Sequence, residues 1–196
     1  MLLDIVILPP VKLRERIGKA VLNATQGVAY RYVIDNKKLI PHVSLFHIKT
    51  SKTRLSKLSQ IVEEITHQQK SFVIKSERIK PDSTLSLRLS NSQAFKKMHR
   101  NMVLKCYHLR TGEMPWTPID LPTKLEKYFR KKYGTQHVLR LKEPHFTLVC
   151  LKNKTDVQIV AKRLSNMRVK FIVKEVAICE VNFWHQVTRI LKRFKI

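Results

Sequence analysis

A five-residue phrase occurs twice in this chain, and its recurrence limits the folds open to it more than any other feature. Residues 41–45 read Pro-His-Val-Ser-Leu and residues 144–148 read Pro-His-Phe-Thr-Leu. Each places a histidine two positions before a small hydroxyl residue, inside an apolar run that reads as a β-strand. Residues two apart on a strand point to the same face. His42 and Ser44 therefore share one face, and His145 and Thr147 share another.

The repeat extends past the phrase. After His42 the run continues to Lys49, and Leu55, Leu58, Ile61, Val62 and Ile65 then recur as one face of a helix before Phe72-Val73-Ile74-Lys75. After His145 the run continues to Lys152, Val157, Val160, Leu164 and Met167 supply a helical stripe, and Phe171-Ile172-Val173-Lys174 follows. Thr155 and Gln158 have the spacing of a capping box for that second helix. Both halves read strand, helix, strand. A period near a hundred residues is too long for a solenoid. It fits two related lobes about a pseudo-twofold axis, each supplying one histidine. The expected fold class is α+β, with two pseudo-symmetric lobes of antiparallel sheet, outer helices and a central cleft. Residues 1–196 read as a single bilobal domain, because no Gly/Ser linker or low-complexity tract divides them.

Elsewhere the pattern is local. Leu2 to Leu8 reads as a strand closed by Pro9-Pro10, and Val11 to Thr25 as a helix with Leu13, Ile17, Val21 and Leu22 inward. Residues 84–90 alternate as a half-buried strand with Arg88 on the polar side. Ser92 is placed to cap a helix carrying Phe95, Met98, Met102 and Cys106. Residues 111–123, with Pro115, Pro118 and Pro122, read as a loop, and Lys124 to Tyr133 as a short basic helix. Residues 168–182 and 186–196 are strand-rich.

Charge narrows the partners. Lysine and arginine number 39 against 14 acidic residues, a formal net charge of +25, while 43% of the chain is apolar. That is a folded protein whose surface attracts polyanions, nucleic acid first; a highly charged surface with no specific partner is the plainer reading. The basic faces are Lys96, Lys97, Arg100 and Lys105 on one helix and Lys124, Lys127, Arg130 and Lys131 on another. No stretch is apolar enough to span a bilayer, and no separate basic amphipathic segment favours a membrane surface. The apolar N-terminus carries Asp4 and lacks a basic leader, so it reads as a strand rather than a signal peptide. Cys106, Cys150 and Cys179 are odd in number without CxxC spacing, which fits a reduced, cytoplasmic setting. Strand alternation turns Cys150 away from the His145 face, so it reads as a structural thiol.

The histidines carry the chemistry. Imidazole, with an unperturbed pKa of about 6.5, serves as acid or base near neutrality. Two imidazoles on opposite sides of a phosphate can divide the work, each transfer being worth roughly 10²–10⁴-fold. Ser44 and Thr147 can donate to the non-bridging oxygens as charge builds there. His47 lies five residues after His42, so alternation sends it to the opposite face. It reads as structural, and His67, His99, His108, His137 and His185 as surface or packing residues. No His-Glu-x-x-His, Walker loop or Gly-x-Ser-x-Gly elbow occurs, and no metal or other cofactor is expected. Arg88, Lys49 and Lys152 are either extra charge near the phosphate or ordinary solvated residues. Phe46 falls on the His42 face, and Tyr30, Tyr32 and Trp116 fall in loops.

The paired His-x-Ser/Thr phrases, their spacing and their context resemble the two-histidine (2H) phosphoesterase superfamily, and within it the RNA 2′,3′-cyclic phosphodiesterases, also called 2′-5′ RNA ligases. The likeness runs from the first strand to the last. Ser44 stands where many such members have threonine, which keeps the hydroxyl. The resemblance implies a bilobal fold and a metal-independent phosphoesterase acting on 2′,3′-cyclic phosphate or 2′-5′ linkages of RNA or small nucleotides, with reverse ligase activity open to it. It implies His42, His145, Ser44 and Thr147 as catalytic residues. His42 would be the acid and His145 the base, an assignment the residues alone do not separate from its reverse. A monomer is favoured. The alternative is a basic RNA-binding module of the same fold without turnover.

Overall fold

The computed structural model describes residues 1–82, 84–117 and 122–196. Among these residues, nine strands and five α-helices run in the order β1 (Leu2–Ile7), α1 (Val11–Ala24), β2 (Tyr30–Val33), β3 (Val43–Lys49), α2 (Leu55–His67), β4 (Phe72–Lys80), β5 (Thr84–Leu89), α3 (Gln93–Cys106), α4 (Lys124–Tyr133), β6 (His145–Leu151), α5 (Asp156–Arg163), β7 (Lys170–Val173), β8 (Glu175–Val181) and β9 (Val187–Lys195). One sheet has the strand order β3-β1-β8-β9 and the other β2-β6-β5-β4-β7. Every strand pairing among the described residues is antiparallel. The expected α+β architecture of two related lobes is what the chain adopts.

The lobes meet through the segments that match in sequence. Phe72 pairs with Val173 and Ile74 with Phe171, so equivalent strands run antiparallel to each other at the junction. Arg163 Nη1 donates to the carbonyls of Ala24 and Gln26 and Arg16 Nη2 to that of Arg168, which ties α1 to α5 and the turn after it. α3 packs against α2 and β3. Each lobe is thus covered by one helix that follows its own histidine strand and one that follows the central strand of the other lobe. A continuous apolar cluster joins Leu3, Ile5 and Ile7 of β1 to Leu85, Leu87 and Leu89 of β5. The opposite face of β1 is buried as well, with Val6 against Met114, Ala177 and Val187. A strand covered on both faces shows a near-continuous apolar run instead of alternation, as Leu-Leu-Asp-Ile-Val-Ile does.

Local signals set most element ends. Ser92 Oγ accepts from Phe95 N–H and starts α3. α4 opens with a capping box between Thr123 and Glu126 and closes on Gly134 at φ 85°, a left-handed cap suited to glycine. Three expectations need correction. Leu22 is exposed, because the buried stripe of α1 runs through Leu13, Ile17, Val21 and Ala24 and Leu22 lies about a hundred degrees round the helix from Val21. Thr155 makes no cap; it is already helical in φ and ψ, and Asn153 Nδ2 instead donates to Asp156 at the start of α5. Tyr30 and Tyr32 stand on β2, which pairs with β6 at the edge of the five-stranded sheet. Of the loop reading over 111–123, Pro118 lies outside the described residues, and Pro115 and Trp116 are in irregular structure. Among the described residues no helix is long and apolar enough to cross a membrane.

Candidate active site

His42, Ser44, His145 and Thr147 line one cleft of about 390 Å³, together with Arg88 and Lys142. A roomier hollow of about 570 Å³ lies between α1 and the turn after α5. Arginines line it, but no pair of acid–base groups does, which sets it apart from the cleft.

The two motifs are built alike down to their hydrogen bonds. His42 Nδ1 donates to the Ile40 carbonyl at 2.7 Å, and His145 Nδ1 donates to the Glu143 carbonyl at 2.9 Å. A carbonyl can only accept, so each bond keeps the proton on Nδ1 of the neutral ring and leaves Nε2 available. The residue between is proline in both cases, Pro41 and Pro144. Its fixed φ, and the extended conformation it imposes on the residue before it, hold the carbonyl two positions back against the imidazole.

Each motif strand also carries a β-bulge at the same place. β1 pairs Val6 with Ser44 and Ile5 with Phe46, leaving Leu45 extra. β5 pairs Ser86 with Thr147 and Leu85 with Val149, leaving Leu148 extra. A bulge spends one additional residue and reverses the alternation beyond it. Two consecutive core residues, Leu45-Phe46 and Leu148-Val149, mark the shift. This corrects three expectations. His47 is not on the opposite face: it returns to the cleft side with His42. Phe46 is not on the His42 face: it is buried in the core. Cys150 does not turn away from the His145 side: it pairs with Thr84, a cleft-lining residue, and is buried against Tyr32, Ile34 and Leu39.

His99 holds the first bulge. Its Nδ1 donates to the Leu45 carbonyl at 2.6 Å, and its Nε2 accepts the Leu139 N–H at 2.7 Å. It is a buried residue of α3 that clamps the first motif strand to the segment running into the second. Leu139 sits at φ 53°, unusual for a bulky side chain, and the His99 bond secures it there. Burial, with Lys142 adding to it, pushes the His99 pKa down to about 4.

Beneath the cleft lies Asp4, fully buried on β1. Its Oδ2 is 3.1 Å from His47 Nε2 and 3.7 Å from His42 Nε2. Neither carboxylate oxygen accepts a well-aligned hydrogen bond, and each contact becomes an ion pair only when its imidazole is protonated. Burial alone would raise the Asp4 pKa; the attraction of His47, His42 and Lys142 outweighs it and brings the value to about 2. Asp4 was visible as a lone charge in an apolar strand, but its partners come from distant segments.

The two motif histidines differ electrostatically. Burial lowers the His42 pKa, opposed by Asp4 and by the bond to the Ile40 carbonyl. Burial also drives the His145 pKa well below the ordinary value, and Lys142, His137, Arg88 and His42 all push the same way. Lys142, itself buried, falls to about 8 because burial outweighs Asp4. Arg88 lines the cleft opposite His145 on the neighbouring strand and pairs with Glu143. Lys49, exposed at the end of β3, and Lys152, exposed just past β6, lie outside the cleft lining.

His137 and His185, read as surface or packing residues, both line the cleft. The His185 ring lies 5.2 Å from that of His47, and burial followed by His47 takes its pKa down to about 3. Tyr32 and Trp184 stand together at the cleft wall with ring centroids 5.6 Å apart, and Trp184 carried no signal in the sequence. Buried polar atoms of Asp4, His47, Thr84, Gln136, His185 and Gln186 lack hydrogen bonds, and all lie in or under this cleft. Such a concentration marks a place built for a polar ligand. Among the described residues, no three His, Cys, Asp or Glu side chains converge as a metal site.

No protein-family model and no curated protein matches the sequence. Solved structures do match over the whole chain. TT0787 of Thermus thermophilus is similar at TM-score 0.61 and 12% identity, covering 100% of this chain and 97% of that one. A protein solved as a phosphoesterase gives 0.55 and 13%, covering 100% and 98%. E. coli LigT, solved with 3′-AMP, gives 0.56 and 13%, covering 99% and 96%. At such identities the likeness is one of architecture: with its two antiparallel sheets about a cleft walled by paired His-x-Ser/Thr strands, the chain has the two-histidine phosphoesterase fold.

Proposed function

We propose that this protein is a metal-independent phosphoesterase that opens 2′,3′-cyclic phosphates of RNA or small nucleotides, with residues 1–196 acting as one bilobal unit. The observation that carries this reading is the matched pair of histidines in one cleft, each fixed through Nδ1 to the carbonyl two residues before it. Such a pair presents two Nε2 atoms to a phosphate from opposite walls. His145, surrounded by cations and easily deprotonated, is the base: its Nε2 takes a proton from the attacking water. His42, whose protonated form Asp4 favours, is the acid: it gives its proton to the departing 3′ oxygen. The P–O3′ bond breaks as the bond from water forms, and a 2′-phosphate remains. Ser44 and Thr147 donate to the non-bridging oxygens. With a ribose 5′-hydroxyl in place of water, the same groups would form a 2′-5′ linkage. A bound phosphate is an anion and raises the pKa of both imidazoles toward the working range.

The net charge of +25 favours RNA over a mononucleotide as substrate, and the presence of 3′-AMP in the E. coli neighbour is in keeping with a nucleotide. The test is hydrolysis of a 2′,3′-cyclic nucleotide by purified protein in chelator. Turnover with a bell-shaped pH profile is expected, falling roughly 10²–10⁴-fold in His42→Ala and again in His145→Ala. A requirement for divalent metal, or turnover that survives the double variant, overturns the reading. RNA binding without turnover would favour the binding-module alternative.

A further inference from the structure

The repeat that makes the two motifs alike is broken by one charge. Asp4 pairs with His47 in the β1–β3 ladder, and Thr84 pairs with Cys150 in the β5–β6 ladder. His47 follows His42 by the same interval that Cys150 follows His145, and both motif strands bulge at the same position. Asp4 and Thr84 are therefore equivalent sites under the two histidines. One is a buried carboxylate and the other a hydroxyl. Glu143, the acid two residues before His145, is paired with Arg88.

Resting on the function proposed above, we propose that Asp4 is the positioning residue that gives His42 the proton-donor role, and that His47 shares this carboxylate with it. The bulge at Leu45 makes the sharing possible. Without it, His42 and His47 would lie on opposite faces; with it, both rings approach the same Oδ2, at 3.7 and 3.1 Å. An imidazolium at His42 is then stabilised by a carboxylate that His145 does not have. Groups from every neighbouring element face Asp4: His42 and His47 on β3, Lys142 in the segment before β6, Cys179 across the β1–β8 ladder, and, further out, His185 in the turn between β8 and β9. Of these, His42 is the one that belongs to a duplicated motif. His47 competes with His42 for this carboxylate: it lies the nearer of the two to Oδ2, and its charge opposes a proton on His42.

Asp4→Asn and His47→Gln should move His42 in opposite directions. An imidazole loses about one pKa unit or more when an opposite charge at this range is removed. In Asp4→Asn, the NMR titration of His42 should fall by about one unit, and the alkaline limb of the kcat/KM profile should move with it, while the acidic limb set by His145 shifts less. In His47→Gln both should rise. A purely structural role for Asp4 would lower activity in either variant without opposed shifts. An unmoved His42 titration, or shifts of the same sign in both variants, overturns the inference. If Asp4→Asn does not fold, the upward shift in His47→Gln still decides it. The titration needs no turnover, so a wild type that is inactive on cyclic phosphate would defeat the proposed function while the opposed shifts still established the shared carboxylate. Normal turnover with unresponsive limbs would do the reverse.

Discussion

Replacing His99 with leucine should destabilise the protein in a way that depends on pH. His99 bridges two buried backbone groups, the Leu45 carbonyl and the Leu139 N–H. Leucine keeps most of the volume and leaves both unpaired, at about 1–3 kcal/mol each, so about 2–6 kcal/mol is expected at pH 7. The second part follows from protonation. The unfolded chain takes up a proton on this residue near its ordinary value of 6.5, whereas the folded chain resists until about 4. The folded pKa is the lower one, so wild-type stability is full above pH 6.5 and is lost as pH falls toward 4. Between pH 7 and pH 5 this one group should withdraw about 2 kcal/mol. His99→Leu has no such group, so its deficit against wild type should narrow by about that amount at pH 5. His185, also buried with a lowered pKa, is present in both proteins and cancels in the difference. Urea unfolding of both at pH 7 and pH 5 measures this directly. A deficit equal at the two pH values would refute the neutral bridging role.

Two further outcomes can be checked separately. If the exposed basic face of α3 is part of an RNA path, changing Lys96, Lys97, Arg100 and Lys105 to glutamine should weaken RNA affinity and flatten its dependence on salt, with turnover of a cyclic mononucleotide nearly unchanged; affinity and salt slope equal to wild type would remove that face. Thr123→Ala deletes the N-terminal cap of α4 and should cost about 1 kcal/mol in thermal or denaturant unfolding, whereas a loss within error would mean that the helix is held by packing alone.

What could be read from sequence is what depends on neighbours along the chain. The prolines before His42 and His145, the hydroxyls two positions on, and the cap of α3 at Ser92 all act within a few residues, and their signals are local. Duplication carried the reading further, because a repeated strand-helix-strand pattern implies two related lobes even when neither is individually diagnostic. Thr155 shows the limit of a local pattern: the spacing of a capping box is present, but the residue itself is already helical and cannot cap. The bulges at Leu45 and Leu148 defeat strict alternation, although the adjacent core pairs Leu45-Phe46 and Leu148-Val149 are their trace. Strand pairing decides which residue is extra, and pairing is made with segments far away in the chain. For the same reason His47, Lys142, His185 and Trp184 entered the cleft unannounced. Asp4 is the clearest case: the sequence shows a carboxylate in an apolar strand, and only the register of β1 against β3 puts it under His42 and His47 instead of leaving it in water. Its low pKa, and the inequality it creates between two histidines that the sequence presents as equals, follow from burial and proximity, which tertiary packing alone sets.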